Sequence, residues 1–227
     1  MEVYDVDSGR HLRTLTHPGV VRDVDVSPDG RLVCTAGDHT ALIFWDVEDG
    51  EEAFRAEVAL WTSAVAFSPD AESKLVAFSH GSENGDVFLL RLDSTARSKR
   101  VGAGGCSSLT FSPDGRILAC GRRRHVELLS VPDLNPILTI EGARGPVPEV
   151  SFSPDGSTLA IPCGGGFVQL YNRKVKAEVG RLPMPSTLWL ISAAFSPDGS
   201  ELAISTLDDG VYIFEAPFME AIDSARR

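Results

Sequence analysis

Apolar and polar positions alternate along this chain in short runs, and the runs recur. Five times an apolar-x-apolar run leads into a turn: Val24-x-Val26, Val65-x-Phe67, Leu109-x-Phe111, Val150-x-Phe152 and Ala193-x-Phe195. Five times a second apolar run leaves it: Leu32-Val33, Leu75-Val76, Ile117-Leu118, Leu159-Ala160 and Leu202-Ala203. Side chains two apart share one face of a strand, so each pair of runs predicts a β-hairpin with a buried face. Helical periodicity is missing over any useful length, and the tail from Ala216 to Arg227 reads either as a short helix from Phe218 to Ile222 or as disordered chain.

The turn carries its own signature. Ser-Pro-Asp-Gly begins at Ser27, Ser112, Ser153 and Ser196, and the variant Ser68-Pro69-Asp70-Ala71 fills the remaining slot, at spacings of 41, 44, 41 and 43 residues. Pro presets φ for the second turn position, Asp suits the third, and Gly accepts the left-handed conformation at the end.

A third strand follows in each repeat: Leu42-x-Phe44-Trp45, Val87-x-Leu89-Leu90, Val126-x-Leu128-Leu129, Val168-x-Leu170-Tyr171 and Val211-x-Ile213-Phe214. A fourth, more polar strand follows in four of them, as at Ala53 to Val58 and Pro136 to Ile140. A period of about 42 residues with four antiparallel strands, the last one polar, predicts an all-β propeller of five blades.

The pattern resembles the WD40 repeat family over nearly the whole chain. Trp45-Asp46 is the family dipeptide, His17 sits where the family's Gly-His histidine sits, and Asp38 resembles its turn aspartate. The resemblance implies a buried hydrogen-bond network in the first repeat, with Thr35 the nearest hydroxyl. Seven positions separate Asp38 from Trp45, one more than usual, so a bulge is expected. The other repeats hold Leu90, Leu129, Tyr171 and Phe214 at the Trp position, and packing is expected to hold them. Glu48 replaces the Arg that marks ubiquitin-ligase substrate receptors in this family, so that role is unsupported.

One propeller domain is expected over 1–216, with repeats at roughly 17–58, 59–102, 103–142, 143–183 and 184–216. Residues 1–16 form a partial blade and 217–227 a tail. Met1 to Tyr4 aligns with Val211 to Phe214 as a third strand, and His11 to Thr16 reads as a fourth. Pairing of His11 to Thr16 beside Val211 to Phe214 would close a five-bladed ring and leave Val3 to Val6 surplus. The alternative is an open arc of a larger propeller.

Composition narrows the function. The net charge of -11 repels phosphate backbones and anionic lipid, so no nucleic-acid partner is expected. No apolar run approaches the ~20 residues of a spanning helix, so membrane insertion is not expected and the cytoplasm is the expected compartment. Cys34, Cys106, Cys120 and Cys163 form no C-x-x-C pair and read as reduced core thiols.

Catalysis finds no constellation. The histidines at 11, 17, 39, 80 and 125 are scattered, Cys163-Gly164-Gly165-Gly166 lacks the Lys-Ser/Thr of a phosphate loop, and Asp208-Asp209 reads as a solvated turn. No enzyme, metal or cofactor is expected. Binding is better motivated. Aligning the repeats places Val20, Trp61, Gly105, Pro146 and Trp189 at one rim position before the first strand. Trp61 and Trp189 are candidate partner contacts, or plugs of their own blades. Arg122-Arg123-Arg124-His125, on the same rim, is the densest basic cluster in an acidic chain, and its arginine forks suit an acidic or phosphorylated peptide. The plainer alternative is a solvated turn.

The expected function is a non-catalytic scaffold for other proteins. The alternatives are a structural fragment of a larger propeller and, more weakly, an enzymatic or small-molecule propeller. The oligomeric state is not legible.

Overall fold

The computed structural model describes residues 1–81, 85–93, 97–101, 105–143, 145–185, 189–207 and 210–215, with the backbone alone at 97–101. The tail from Ala216 to Arg227 and the pair Asp208-Asp209 lie outside the described residues. Two compact units make up the chain, Met1–Cys106 and Ser107–Arg227.

In the first unit, β1 (Glu2–Tyr4) pairs with β2 (His11–Thr14) as a two-stranded sheet. The first blade follows as a meander of β3 (Val21–Val26), β4 (Leu32–Gly37), β5 (Ala41–Asp46) and β6 (Glu52–Glu57). The second is β7 (Thr62–Phe67), β8 (Leu75–His80), β9 (Val87–Arg91) and β10 (Arg97–Val101).

In the second unit, the third blade is β11 (Cys106–Phe111), β12 (Ile117–Arg122), β13 (His125–Ser130) and β14 (Pro136–Glu141). The fourth is β15 (Ser151–Phe152), β16 (Thr158–Cys163), β17 (Phe167–Asn172) and β18 (Ala177–Pro183). The fifth has three described strands, β19 (Leu190–Phe195), β20 (Glu201–Thr206) and β21 (Gly210–Glu215). The expected strand at His11 is thus present but pairs with Glu2–Tyr4, which is therefore not surplus. A local partner is reached by a short loop, at less entropic cost than a distant one.

The Ser-Pro-Asp-Gly hairpins explain the regularity of the blades. In the first, Ser27 Oγ donates to Asp29 Oδ1 at 2.6 Å and accepts the Leu32 N–H at 2.9 Å. Gly30 N–H donates to Ser27 O at 2.8 Å, with Gly30 at φ +71°. The same bonds recur from Ser112, Ser153 and Ser196. At Asp198 the Ser196 hydroxyl, the Ser200 N–H and the Ser200 hydroxyl hold the carboxyl down at about 2. The variant turn lacks the glycine, and Lys74 takes the left-handed conformation instead, at φ +49°.

Register divides the first blade into two faces. Asp25, Cys34 and Phe44 stand side by side on one, Val26, Val33 and Trp45 on the other. The first face packs on the second blade, where Cys34, Ala36, Leu42 and Phe44 share a core with Val65, Phe67, Val76 and Phe78. Two aspartates stitch that interface: Asp23 Oδ2 accepts from Val65 N–H at 2.9 Å and Asp25 Oδ2 from Phe67 N–H at 2.6 Å. Burial raises the Asp25 carboxyl against the pull of those amides. The second face packs on β1 and β2, where Leu15, 1% exposed, meets Val33, Ile43 and Trp45.

The bulge expected between Asp38 and Trp45 lies at the end of that segment, on the side of β5 that pairs with β6. Strands β4 and β5 pair without interruption from Leu32–Asp46 to Thr35–Ile43, and the extra residue is taken up in the turn 38–40. The irregularity in β5 falls between Phe44 and Trp45, against β6, and recurs at Leu128/Leu129 and Leu170/Tyr171. All four cysteines are buried thiols, three of them in second strands, and burial pushes Cys163 up to about 11. No described helix is long and apolar enough to cross a membrane.

Candidate functional site

The first-repeat network is half built. Trp45 Nε1 donates to Thr35 Oγ1 at 3.1 Å, and Thr35 Oγ1 donates to Ile43 O at 3.3 Å, all buried. An indole N–H placed in a core needs such an acceptor. His17 and Asp38 stand apart from this pair. The His17 ring bonds its own turn, with Nδ1 2.9 Å from Gly19 O and 3.1 Å from Gly19 N. Asp38 is exposed and holds the Arg22 guanidinium by both oxygens. Asp46 Oδ1 accepts from Glu48 N–H at 2.7 Å and fixes the turn into β6. The Trp positions of the later blades, Leu90, Leu129 and Tyr171, are buried in apolar surroundings.

The two rim tryptophans sit at equivalent backbone positions. Trp61 O accepts from Gly81 N–H at 3.0 Å and Trp189 O from Leu207 N–H at 2.9 Å. Their side chains differ. Trp61 is 38% exposed; Arg22 lies 4.6 Å above its ring, and a Cβ on Gly81 would come within 1.8 Å of the indole. It is therefore packed between a glycine and an arginine already bound to Asp38. Trp189 is 70% exposed.

The basic cluster divides in the same way. Arg122 is 1% exposed at the end of β12, and its Nε donates to Glu127 Oε2 at 2.8 Å. It is a structural ion pair, and the expectation that it faces a partner is corrected. In the β12–β13 register Glu127 lies opposite Cys120, which places Arg122 diagonally beside it on one sheet face. Arg123 and Arg124 are exposed in the connecting turn, and His125 is half-buried in β13.

The Ser-Pro-Asp-Gly ends hold a groove in each unit. In the second unit it measures about 380 Å³, with Ile117, Leu128, Ile137 and Leu138 beneath Arg173 and Lys174. In the first unit it measures about 230 Å³, and Leu92 occupies the place of Arg173. Among the described residues no group of three or more His, Cys, Asp or Glu is placed to hold a metal.

Short antiparallel sheets of four strands, joined in sequence order and packed face on face, define a β-propeller. Residues 9–46 match the WD domain, G-beta repeat family, so the chain carries that repeat. It is 29% identical over 222 residues to Telomerase protein component 1 of Mus musculus, covering 95% of this chain and 8% of that protein. It is 30% identical over 175 residues to WD repeat-containing protein SL1-17 of Schistosoma mansoni, covering 74% of this chain and 54% of that one. The chain thus spans about half of one relative and under a tenth of the other. Hydrazine synthase of Kuenenia stuttgartiensis has a similar fold, with a TM-score of 0.78 at 18% identity over 93% of this chain and 67% of that one.

Proposed function

We propose that this chain is a non-catalytic scaffold that holds other proteins or peptides at the blade ends bearing Trp189, Arg123 and Arg124. The observation that carries the reading is the bare indole of Trp189, 70% exposed. A solvated indole is costly in water and is the kind of side chain that dominates binding when covered. Arg123 and Arg124 lie at the same end of their own blade and stay exposed, so they supply charge for an acidic or phosphorylated segment. Trp61 contributes less, because its ring is already packed, and Arg122 contributes fold alone.

The test is an array of acidic, phosphorylated and neutral peptides probed with the purified chain. The double variant Arg123→Glu/Arg124→Glu is expected to weaken acidic binders about tenfold and leave neutral ones unchanged. Binding that ignores both this reversal and Trp189→Ala would remove the reading.

A further inference from the structure

The groove between the third and fourth blades differs from its counterpart between the first and second in both size and charge. Both of its walls belong to the second unit, within residues 114–176.

The size follows from one cross-strand pair. In the first blade Phe44 stands opposite Phe54, and the rings stack with centroids 4.3 Å apart. The same pair in the third blade is Leu128 and Leu138. Two leucines fill less space than two stacked rings. Leu128 and Leu138 line a groove of about 380 Å³, where the first unit has about 230 Å³. Ile117 and Ile137 complete an aliphatic floor, open to solvent at Ile137, which is 52% exposed. Such a volume lies at the lower end of the range for small-molecule sites.

The charge follows from one turn. Arg173 and Leu92 hold equivalent positions: the Arg173 N–H donates to Ser157 O at 2.8 Å and the Leu92 N–H to Lys74 O at 3.0 Å. The residues that follow them are Lys174 and Asp93. The turn is thus apolar and acidic in the first unit and doubly basic in the second, where Lys176 also lines the groove. Among the described residues Arg173, Lys174 and Lys176 enter no ion pair. Arg173 Nη1 donates to Gly156 O at 2.6 Å, which fixes the guanidinium over Phe152, 5.6 Å from the ring centroid.

Two acids share the lining, and their own turns engage both. Asp114 Oδ1 accepts from the Ser112 hydroxyl at 2.6 Å and the Arg116 N–H at 3.1 Å. Asp155 Oδ1 accepts from the Ser153 hydroxyl at 2.6 Å, the Ser157 hydroxyl at 2.9 Å and the Ser157 N–H at 3.0 Å. Three cations against two carboxylates leave a single positive charge in excess, above an aliphatic floor, in a chain of net charge -11. That excess matches one carboxylate better than a phosphate ester, which carries nearly two negative charges.

We propose that this groove binds a small amphiphilic carboxylate of the medium-chain fatty-acid class. Its alkyl chain lies on Ile117, Leu128, Ile137 and Leu138, and its carboxylate meets Arg173 and Lys174. Arginine forks take carboxylates through paired hydrogen bonds, and each methylene withdrawn from water adds to binding. The site is independent of the Trp189 reading.

Octanoate is the probe, titrated into the whole chain at about pH 7, where it is ionised, and followed by methyl NMR. Saturable shifts are expected at Ile137 and Leu138 and none at Leu92. The control 1-octanol is expected to bind about tenfold more weakly, and octylammonium not at all. The variants copy the first unit. Leu138→Phe sets the ring of Phe54 in the groove, and Arg173→Leu/Lys174→Asp writes Leu92-Asp93 into the turn. Each is expected to keep the circular dichroism of the parent and to weaken octanoate about tenfold or more. Peptide capture at Trp189 is the separate readout and stays unchanged in both. Octanol binding as well as octanoate overturns the inference, and that comparison on the parent decides it even where a variant fails to fold. So does octanoate binding that both folded variants leave intact. A leucine-ending peptide that binds about tenfold tighter than octanoate, and loses the gain on C-terminal amidation, also overturns it, because the occupant is then a chain terminus.

Discussion

Trp61 and Trp189 occupy the same place in their repeats, yet one is packed and the other bare. The difference lies in one partner residue. The position whose amide bonds the tryptophan carbonyl is Gly81 in the second blade and Leu207 in the fifth. Gly81 leaves room for an indole to lie against the backbone, whereas Leu207 sets a side chain, itself 64% exposed, at that position. Arg22, held by Asp38, closes the second-blade stack from above. Equivalent backbone therefore does not give equivalent surface, and the same holds for the neighbours Arg122 and Arg123.

The largest effect is expected at the buried member of the arginine cluster. Arg122→Met leaves Glu127 half-stranded, its side chain only 15% exposed, and removing one partner of such a pair costs about 3 kcal/mol. Urea unfolding followed by circular dichroism measures it. Adding Glu127→Leu to Arg122→Met is expected to restore most of the loss, since an apolar pair avoids the uncompensated charge. Arg123→Met, one residue on, is expected to stay within about 0.5 kcal/mol of the parent. Equal losses at 122 and 123 would erase the distinction between them.

Exchanging the supporting residues tests the tryptophans directly. Gly81→Leu is expected to expel the Trp61 ring, at a cost of about 2 kcal/mol and with a red shift of its fluorescence. Trp61→Ala is expected to cost about 1 kcal/mol, from lost packing and the lost Arg22 contact. Combined, they should cost little more than Gly81→Leu alone, because both remove the same stack. Additive losses would show that Gly81 acts through something other than the ring.

The repeat was legible because its chemistry is local. Ser27, Asp29 and Gly30 close their own hairpin within a few residues, and the same letters do so wherever they recur. The alternation Val24-x-Val26 or Val65-x-Phe67 assigns strand faces equally well. What covers each face is not local. Val24 and Val65 read identically in the sequence, and one is 45% exposed while the other is 3% exposed. Arg122 reads as the start of a charged turn, yet β12 runs through it to an acid diagonally placed on β13, a pairing fixed by register. His17 and Asp38 match the family pattern by position, but Asp38 turns to Arg22, a partner whose importance shows only once Trp61 lies beneath it. The strand at His11 is similar: its strand character was readable, but the sequence alone did not choose between Glu2–Tyr4 and Val211–Phe214 as its neighbour.

The smallest effect on stability separates the two tryptophans most sharply. With its ring 70% exposed, Trp189 has little burial to lose on truncation, so Trp189→Ala is expected to change unfolding by no more than about 0.5 kcal/mol. If the indole is a binding anchor, the same substitution should weaken peptide capture tenfold or more, since anchors that are bare in the free protein gain all their burial on binding. Leu207→Gly offers the converse. It opens beneath Trp189 the space that Gly81 gives Trp61, so the indole is expected to settle onto the blade, with blue-shifted fluorescence and weaker capture. A Leu207→Gly chain whose Trp189 emission stays red would show that the missing arginine above the ring, rather than the leucine below it, keeps Trp189 bare.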